Sequence, residues 1–438
     1  MTEKKVPPVP VLSVLALLFL GNVLQAQDTP APPANPSDIH PSGTHPSDIH
    51  PLDKLTFKIV VFGPSDSIFI WWGHAGLIVE DRFTNYARIY DWGIFSYPGE
   101  SFVRSYALNK IRYRCGVSPA RWDIEANIAE DRDVVVYTLD LEPSKKEAIL
   151  HYADNNVRTE NCWYVYHQFR DNCSTRIRDL IDMGTGGQLR NHFENMPGRL
   201  TLREHMRRFT WYSPFYDWFL GFLLGRGIDR NSTMWEEMYL PLEVGRNIEG
   251  FSYIDDSGAE RKLVTNMEIV NKTKNRRAVL DAPRNEIPRT LMAGLAIALL
   301  PVLARLLQRK RPLAGRVLLG ISHSVVGLAL GIAGTVLLFA SRVPERDYMR
   351  SNINLLYANP LALAVIPLGI MAALGRKVTA GAKFSPNAGL RAWWLYICAA
   401  CAASALINVL PFLRQHNLPT LALIFPVALV LSLPERYS

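Results

Sequence analysis

Apolar positions dominate the last third of the chain, whereas polar and apolar positions alternate in the residues before it. Five apolar runs follow one another in this last third, each close to the length of about 20 residues that spans the hydrocarbon core of a bilayer. The fifth run is short and contains Pro419 and Pro426. The pattern predicts an α-helical membrane domain of about five transmembrane helices, at roughly 290–307, 317–340, 353–374, 392–412 and 418–433.

The middle of the chain contains short stretches that are rich in β-branched and aromatic residues and bounded by turn residues, which predicts strands. These stretches read LTFKIVVFG, GHAGLIVED, ARIYDWGIFSY and DVVVYTLDL. Two segments with helical spacing come later, EPSKKEAILHYADNNVR and CSTRIRDLIDMG. Strands that precede helices, rather than alternating with them, predict an α+β domain.

The N-terminus has the pattern of a secretory signal, because Lys4 and Lys5 precede an apolar stretch and Ala26 offers a cleavage position. Leu24 is large for the position three residues before that cleavage site, so an uncleaved anchor is the alternative. We therefore predict a signal peptide or N-terminal anchor over residues 1–26.

Residues 27–54 are rich in Pro, Ser and His and contain His40, His45 and His50. Three histidines could bind a metal, but the segment lacks the apolar residues that would order it, which favours a disordered linker. The remaining domain boundaries follow from composition: a mixed globular domain at 55–250, a basic connecting segment at 251–289 and the membrane domain at 290–438.

Charge predicts the orientation of the chain, whose formal net charge is +8. The segments QRKRPLAGR and GRKVTAGAKFSPNAGLR, between predicted spans, are basic and contain no acid. The positive-inside rule places them in the cytoplasm and the soluble domain outside. We therefore predict a multi-pass membrane protein with the domain at 55–250 on the outer side of the membrane. The aromatic region at about 193–230 is then either ordinary core or a surface at the bilayer interface.

Five cysteines leave at least one thiol unpaired: Cys115, Cys162, Cys173, Cys398 and Cys401. Cys398 and Cys401 have C-x-x-C spacing, but they lie in an apolar run where packing between membrane helices is favoured over a redox or metal site. No nucleotide-binding loop and no convincing set of metal ligands is present in the sequence, so no cofactor is predicted.

Cys173 stands in a polar turn at a predicted helix start, where the helix N-terminus lowers the pKa of a thiol and offers free N–H groups to an oxyanion. A nucleophilic cysteine also needs a base. His74 opens a predicted strand, and His151 and His167 lie near the helical stretch before Cys173. A disulfide from Cys162 to Cys173 or Cys115 is the structural alternative.

Antiparallel pairing about the turn at 82–85 brings residues near Asp91 beside His74. An acid there could hold the imidazole by its second nitrogen. Cys173, His74 and Asp91 would then form a set like that of papain, with the histidine earlier in sequence than the cysteine.

Several blocks resemble the Lnb N-terminal periplasmic domain family: WWGHAGLIVED, IYDWGIFSY, VVYTLDL, YVYHQFRDNCSTRIRDLID and LGRGIDRNSTMWEEMYLP. NINLLYANPLAL, in the membrane part, is similar to another block of that family. The namesake of the family is a bacterial lipoprotein N-acyltransferase. The resemblance implies a multi-pass protein of the bacterial inner membrane. Residues 55–250 would be its catalytic domain, with a permuted papain-like thiol fold that faces the periplasm, Cys173 as nucleophile and His74 as base.

The expected reaction is acyl transfer from a membrane phospholipid, through a thioester on Cys173, to the N-terminal amine of a diacylglyceryl apolipoprotein. A cysteine hydrolase of peptidoglycan peptides or lipids, and a non-catalytic envelope scaffold, are the alternatives. Asp91 would orient His74. The predicted substrate-binding residues are polar groups near the thiol or at the outer end of a span, Asn172, Arg176, Arg178, Asn354 and Asn359. Solvated helix charges and helix capping are the alternatives for the arginines and for the membrane asparagines. For His323, inside the second span, a neutral structural role is favoured over a functional one.

Overall fold

The computed structural model of the protein describes residues 51–95, 112–343, 346–375 and 385–434. The predicted signal or anchor, the histidines of the linker and most of the second basic loop lie outside these residues. Pro51–Lys54 forms a 3-10 turn, so regular structure begins before the predicted end of the linker at residue 54.

Seven antiparallel strands form the main sheet in the order β11-β5-β1-β2-β3-β4-β6. Two further pairs, β7 with β8 and β9 with β10, lie outside it. The strands are β1 (Leu55–Phe62), β2 (His74–Asp81), β3 (Tyr86–Phe95), β4 (Arg112–Pro119), β5 (Val134–Leu139), β6 (Trp163–Val165), β7 (Pro197–Thr201), β8 (Asn231–Thr233), β9 (Ser252–Ile254), β10 (Glu260–Lys262) and β11 (Val264–Asn271).

The helices of the soluble part are α1 (Ala120–Ala129), α2 (Pro143–Asn156), α3 (Cys173–Gly184), α4 (Gln188–Phe193), α5 (Leu202–Thr210), α6 (Pro214–Leu223), α7 (Met234–Glu237) and α8 (Pro241–Glu249). Those of the apolar part are α9 (Ile287–Lys310), α10 (Pro312–Ala340), α11 (Val365–Leu374), α12 (Pro386–Ile407) and α13 (Leu418–Ser432).

β1 is an interior strand between β5 and β2 and is buried on both faces, which explains its nearly continuous apolar run. Phe57 and Ile59 pack on the face that also holds apolar residues of α2 and α3. Val60 and Phe62 pack on the opposite face, against Ala120 at the start of α1. The sheet therefore lies between helices, and α3 is held against the strands that carry His74 and Asp91.

Within the residues that the structure describes, four helical segments are long and apolar enough to cross a membrane: α9, α10, Ile353–Leu374 and α12. The third of these is not one continuous α-helix, because 3-10 turns at Ile353–Leu356 and Pro360–Ala364 precede α11. The predicted fifth span corresponds to α13, which has 15 residues and is shorter than the other four. The predicted mixed α and β domain followed by apolar helices is confirmed, with four spanning candidates rather than about five.

Buried arginines on α5 connect the soluble domain to the apolar helices. Arg203 is 0% exposed and contacts Asp229 through Nε–Oδ1 and Nη2–Oδ2 distances of 2.7 and 2.9 Å. It also donates to the carbonyls of Gly221, Leu224 and Gly225 at the end of α6. A positive charge at the carbonyl end of a helix is favourable, so Arg203 fixes α6 relative to α5.

Arg207, one turn further along α5, contacts groups from three other stretches of the chain. Its guanidinium lies 3.1 Å from the Asp217 carboxylate, 3.0 Å from that of Glu286 and 3.0 Å from Nε2 of His416. Glu286 precedes α9 and His416 precedes α13. The soluble domain and the apolar helices are therefore joined by a buried network of polar contacts to one guanidinium.

Candidate functional site

His74 is placed by a tight turn and by the pairing of β2. Gly73 precedes it with φ of +85°, and a Cβ at Gly73 would lie 2.7 Å from the Phe62 carbonyl oxygen, so this turn requires glycine. His74 is opposite Phe62 in β1, and the two rings stack with centroids 6.2 Å apart. The imidazole is thus oriented by strand pairing and by ring contact.

Asp91 lies on the neighbouring strand, as the sequence predicts. β2 and β3 pair antiparallel from Asp81 opposite Tyr86 to Leu77 opposite Tyr90. Just beyond this ladder, Asp91 Oδ1 lies 2.8 Å from His74 Nε2 and accepts the Gly93 N–H at 2.5 Å. Each of the two side chains is 19% exposed. The carboxylate fixes the ring and leaves Nδ1 as the nitrogen for other partners.

Gly93 leaves room for this arrangement. A Cβ at Gly93 would lie 2.4 Å from His74 Cε1 and 3.0 Å from Asp91 Oδ1. We expect Gly93→Ala to displace the imidazole and to slow the reaction of Cys173 about 100-fold, because a displacement near 1 Å has costs of that order. The measurement is the rate of alkylation of Cys173 at neutral pH, followed by mass spectrometry.

Gly250→Ala is the matched control for Gly93→Ala, since a Cβ at Gly250 meets nothing within 4 Å. We expect the control to react at the wild-type rate. Equal rates in both variants would mean that the position of His74 does not depend on the space at Gly93.

Cys173 is the first residue of α3, and Asn172 is its N-cap. The Asn172 side chain accepts from the N–H groups of Ser174 and Thr175, and Thr175 Oγ1 accepts from the Asn172 N–H at 2.8 Å. This reciprocal capping box fixes the helix start. Within the described residues, no acceptor binds the N–H of Cys173 itself, so this donor is available to an oxyanion.

The structure brings Cys173 and His74 together. The thiol is 93% buried, and it interacts with the His74 side chain and with the backbone N–H of Ala75. Burial raises the pKa of Cys173, but the His74 charge and these hydrogen bonds outweigh it and bring the pKa below 9.0. Burial lowers the pKa of His74, but Asp91 and Cys173 outweigh it and raise the pKa well above 6.5. The pair therefore favours thiolate and imidazolium.

The paired charges predict the pH dependence of the thiol. A depressed pKa keeps Cys173 as thiolate below pH 9, and protonation of the thiolate at lower pH removes the nucleophile. In His74→Ala, burial remains and the stabilising charge is lost. We expect the midpoint of the alkylation rate against pH to move upward in this variant, and the reaction to become slower at neutral pH.

His151→Ala is the control for that pH profile, because His151 is exposed on α2. Its profile should overlay that of the wild type. If His74→Ala also left the midpoint unchanged, the thiolate would not owe its stability to the imidazole.

Two tyrosines, Tyr164 and Tyr166, lie near enough to Cys173 for its charge to affect their pKa values, and neither is among the predicted site residues. Burial and the nearby charge of Cys173 raise the pKa values of Tyr164 and Tyr166. Tyr164 donates to the Trp92 carbonyl, and Tyr166 stacks on Tyr113 with centroids 4.2 Å apart. In the sequence, only the alternating aromatic residues of YVYHQF point to these tyrosines. The same pattern is equally typical of a hydrophobic core.

The other histidine near Cys173 has a structural environment. His167 Nδ1 accepts the N–H groups of Phe169 and Arg170, at 3.2 and 3.1 Å, and Nε2 lies 3.1 Å from Asp347 Oδ1. Its two nitrogens are thereby engaged away from the thiol. Of the three histidines considered as a base, His74 is the one that contacts Cys173.

The predicted substrate-binding residues on α3 make contacts within the protein. Asn172 is 2% exposed, and its amide donates to the carbonyls of Gln168 and Tyr239. Arg176 forms a bidentate pair with Asp171, at 2.5 and 2.8 Å. The polar groups of both side chains already have hydrogen-bond partners within the protein. Substrate binding by them stays a prediction, and the alternative is that they stabilise the fold.

Arg178 is also engaged within the protein. It pairs with Asp179 at 2.8 Å, donates to the Trp235 carbonyl and lies 3.9 Å above the Trp235 ring. Only 8% of Arg178 is exposed. It lines a cleft of about 500 Å³.

The two membrane asparagines cap 3-10 turns or bind buried carbonyls. Asn354 is 0% exposed and donates to the Phe222 carbonyl at 2.8 Å. Asn359 accepts the Leu361 N–H at 3.1 Å. The capping alternative therefore describes Asn359, and Asn354 connects the apolar helices to α6.

No group of three or more potential metal ligands occurs among the residues that the structure describes. Cys398 and Cys401 are on the apolar helix α12, and Trp394 donates to His323 Nδ1 at 2.7 Å. These contacts agree with the packing interpretation of C-x-x-C and with a structural His323.

Comparison with known families identifies the domain that holds these residues. Residues 45–208 match the model of the Lnb N-terminal periplasmic domain. No curated protein and no solved structure matches the chain. The matched range contains Cys173, His74 and Asp91, whereas the blocks after residue 208 that resemble the family lie outside it.

Proposed function

We propose that this protein, whose residues 45–208 belong to the Lnb N-terminal periplasmic domain family, is a membrane-bound cysteine acyltransferase that modifies lipoproteins. The observation that supports the proposal most is the contact of Cys173 with His74, which Asp91 orients at 2.8 Å. These residues have the types and contacts of a permuted papain-like site.

In the first half of the reaction, the Cys173 thiolate attacks the ester carbonyl of a membrane phospholipid. The N–H of Cys173 stabilises the oxyanion, and the His74 imidazolium gives its proton to the departing alkoxide. A thioester on Cys173 and a lysophospholipid result. In the second half, the α-amine of a diacylglyceryl-cysteine attacks the thioester, His74 accepts the amine proton, and the thiolate leaves.

Lipid substrates fit the surroundings of the site. Trp71, three residues before His74, contacts Tyr216 of α6 with ring centroids 5.2 Å apart. Further along α6, Trp218 and Phe222 pack against the cluster of the apolar helices. Aromatic rings therefore connect the loop before His74 to the membrane part, and acyl chains would enter along them.

The test is mass spectrometry of lipoprotein N-termini from cells with and without the gene. We expect the N-acylated form only when the gene is present. With purified protein in vesicles, a phospholipid labelled in its acyl chain should give a labelled lipopeptide and a lysophospholipid. Free fatty acid without N-acylation would instead indicate a hydrolase.

The same assay tests the donor. An unlabelled N-acyl chain, together with the loss of one ester-linked chain from the lipopeptide, would mean that the acceptor supplies its own acyl group. That outcome would overturn the phospholipid donor and leave the cysteine mechanism in place.

A further inference from the structure

Two buried cysteines face each other near the catalytic thiol. β4 and β6 pair with Arg112 opposite Val165, Tyr113 opposite Tyr164 and Arg114 opposite Trp163. Continuing this register by one residue brings Cys115 opposite Cys162. The Cys115 N–H donates to the Cys162 carbonyl at 2.9 Å, whereas the Cys162 N–H donates to the Arg158 carbonyl, so one hydrogen bond joins the two residues directly.

The two side chains lie on the same face of the sheet. Tyr113 and Tyr164, the opposite pair two residues away in each strand, contact each other with ring centroids 6.2 Å apart. Because side chains alternate between faces, Cys115 and Cys162 share that face. Cα atoms of a hydrogen-bonded antiparallel pair are about 5.5 Å apart, within the range of about 4.4–6.8 Å that disulfides bridge.

Both thiols are free in the structure, and each is turned toward a nearby carbonyl. Cys115 Sγ lies 3.8 Å from the Gly116 oxygen, and Cys162 Sγ lies 3.6 Å from the Thr159 oxygen. Rotation about the Cα–Cβ bonds is the change needed to bring the sulfurs together. Cys173 is not part of this pair, because its sulfur contacts His74.

We infer that Cys115 and Cys162 form a disulfide in the mature protein. The match to a periplasmic domain places them in an oxidising compartment. One thiolate attacks the disulfide of an oxidising dithiol protein and forms a mixed disulfide, and one thiol of the oxidant is released. The thiolate of the second cysteine then attacks the mixed disulfide and displaces the remaining thiol of the oxidant. Two thiols of this protein are thereby oxidised, one disulfide of the oxidant is reduced, and two protons move to the released thiols.

The bond would hold the edge of the sheet beside the site. β6 has three residues and is the last strand of the sheet. Tyr164 lies within it and Tyr166 directly follows it, and both border Cys173. A covalent link from β6 to β4 would keep these rings in place. This consequence does not depend on whether the protein transfers acyl groups.

The test is differential alkylation of the full chain in native membranes. Thiols are blocked with N-ethylmaleimide in denaturant, so that burial gives no protection, and are then reduced and labelled with iodoacetamide. We expect Cys115 and Cys162 to carry the second label and Cys173 the first. First-label modification of both Cys115 and Cys162 would overturn the disulfide, and a Cys162–Cys173 link would overturn it together with the nucleophile.

Two variants test the consequence of the bond. In Cys115→Ser, Cys162 should move to the first label. A reductant should lower the Tm of the wild type by about 5 °C and leave that of the Cys115→Ser/Cys162→Ser double variant unchanged. Equal responses of the two proteins would contradict a stabilising disulfide, and the labelling of the wild type decides the matter even if the variants fold poorly.

Discussion

Replacing Cys173 with alanine is expected to remove acyl transfer, with kcat/KM falling by roughly 10⁴-fold or more. The sulfur supplies the thioester, and the neighbouring Ser174 hydroxyl, 3.9 Å from it, is a much weaker nucleophile than a thiolate. His74, Asp91 and the free N–H at the helix start would remain, but they act only on an attached acyl group. N-acylation of a diacylglyceryl lipopeptide, followed by mass spectrometry, is the measurement.

Cys398→Ala is the matched control for this loss, because Cys398 is a partly exposed thiol on the apolar helix α12. We expect it to retain wild-type activity. Omitting the acceptor amine should also leave a mass increase of one acyl chain on the wild-type peptide that contains Cys173. Full activity in Cys173→Ala, or an acyl chain on another residue, would contradict the mechanism.

Replacing Arg203 with leucine is expected to destabilise the protein by about 3–5 kcal/mol, because Asp229 would be left as a buried charge without its partner. Arg203 and the Asp229 side chain are 0% and 4% exposed. Three carbonyls at the end of α6 would lose their donor as well. The change corresponds to a decrease in Tm of roughly 10 °C, measured by thermal unfolding in detergent.

Arg190→Leu provides the comparison at the surface. Arg190 pairs with Glu194 at 2.8 Å, and the two side chains are 55% and 44% exposed. Solvent screens such a pair, so Tm should barely change. Equal decreases in Tm in both variants would show that burial of the Arg203–Asp229 pair does not determine how much the pair stabilises the protein.

The residues of the proposed site could be singled out because each depends on local sequence. His74 and Asp91 lie on the two strands of one hairpin, β2 and β3. The alternation of apolar positions in these strands fixes how they pair. Cys173 follows a capping residue at the start of an amphipathic helix. Contact between α3 and β2 was expected only through the presumed chemistry, since no local pattern specifies it.

Contacts over long sequence separations could not be predicted. His167 is engaged by Asp347, 180 residues later, and was therefore indistinguishable from a free base. The pairing of β11 with β5 also joins distant segments. Hydrophobic periodicity gives the type of an element, but it does not give its partners.

The third apolar segment shows the same limit in the membrane part. Residues 353–374 were predicted as one span, and hydropathy still supports that length. Asn352 and Asn359 instead cap two 3-10 turns before α11. Hydropathy averaged over a span-length stretch of sequence does not detect these caps, because a single polar residue changes the average little.

The contacts of Arg207 limit how the domain that holds Cys173 can move. Asp217, Glu286 and His416 bind one guanidinium, so α5 cannot tilt away from the apolar helices without leaving buried polar groups unpaired. Cys173 should therefore stay at a fixed height above the lipid. An acceptor protein would have to reach that height with its own amine. We expect lipoproteins with an extended, flexible leader after the lipidated residue to react faster than those folded close to the bilayer.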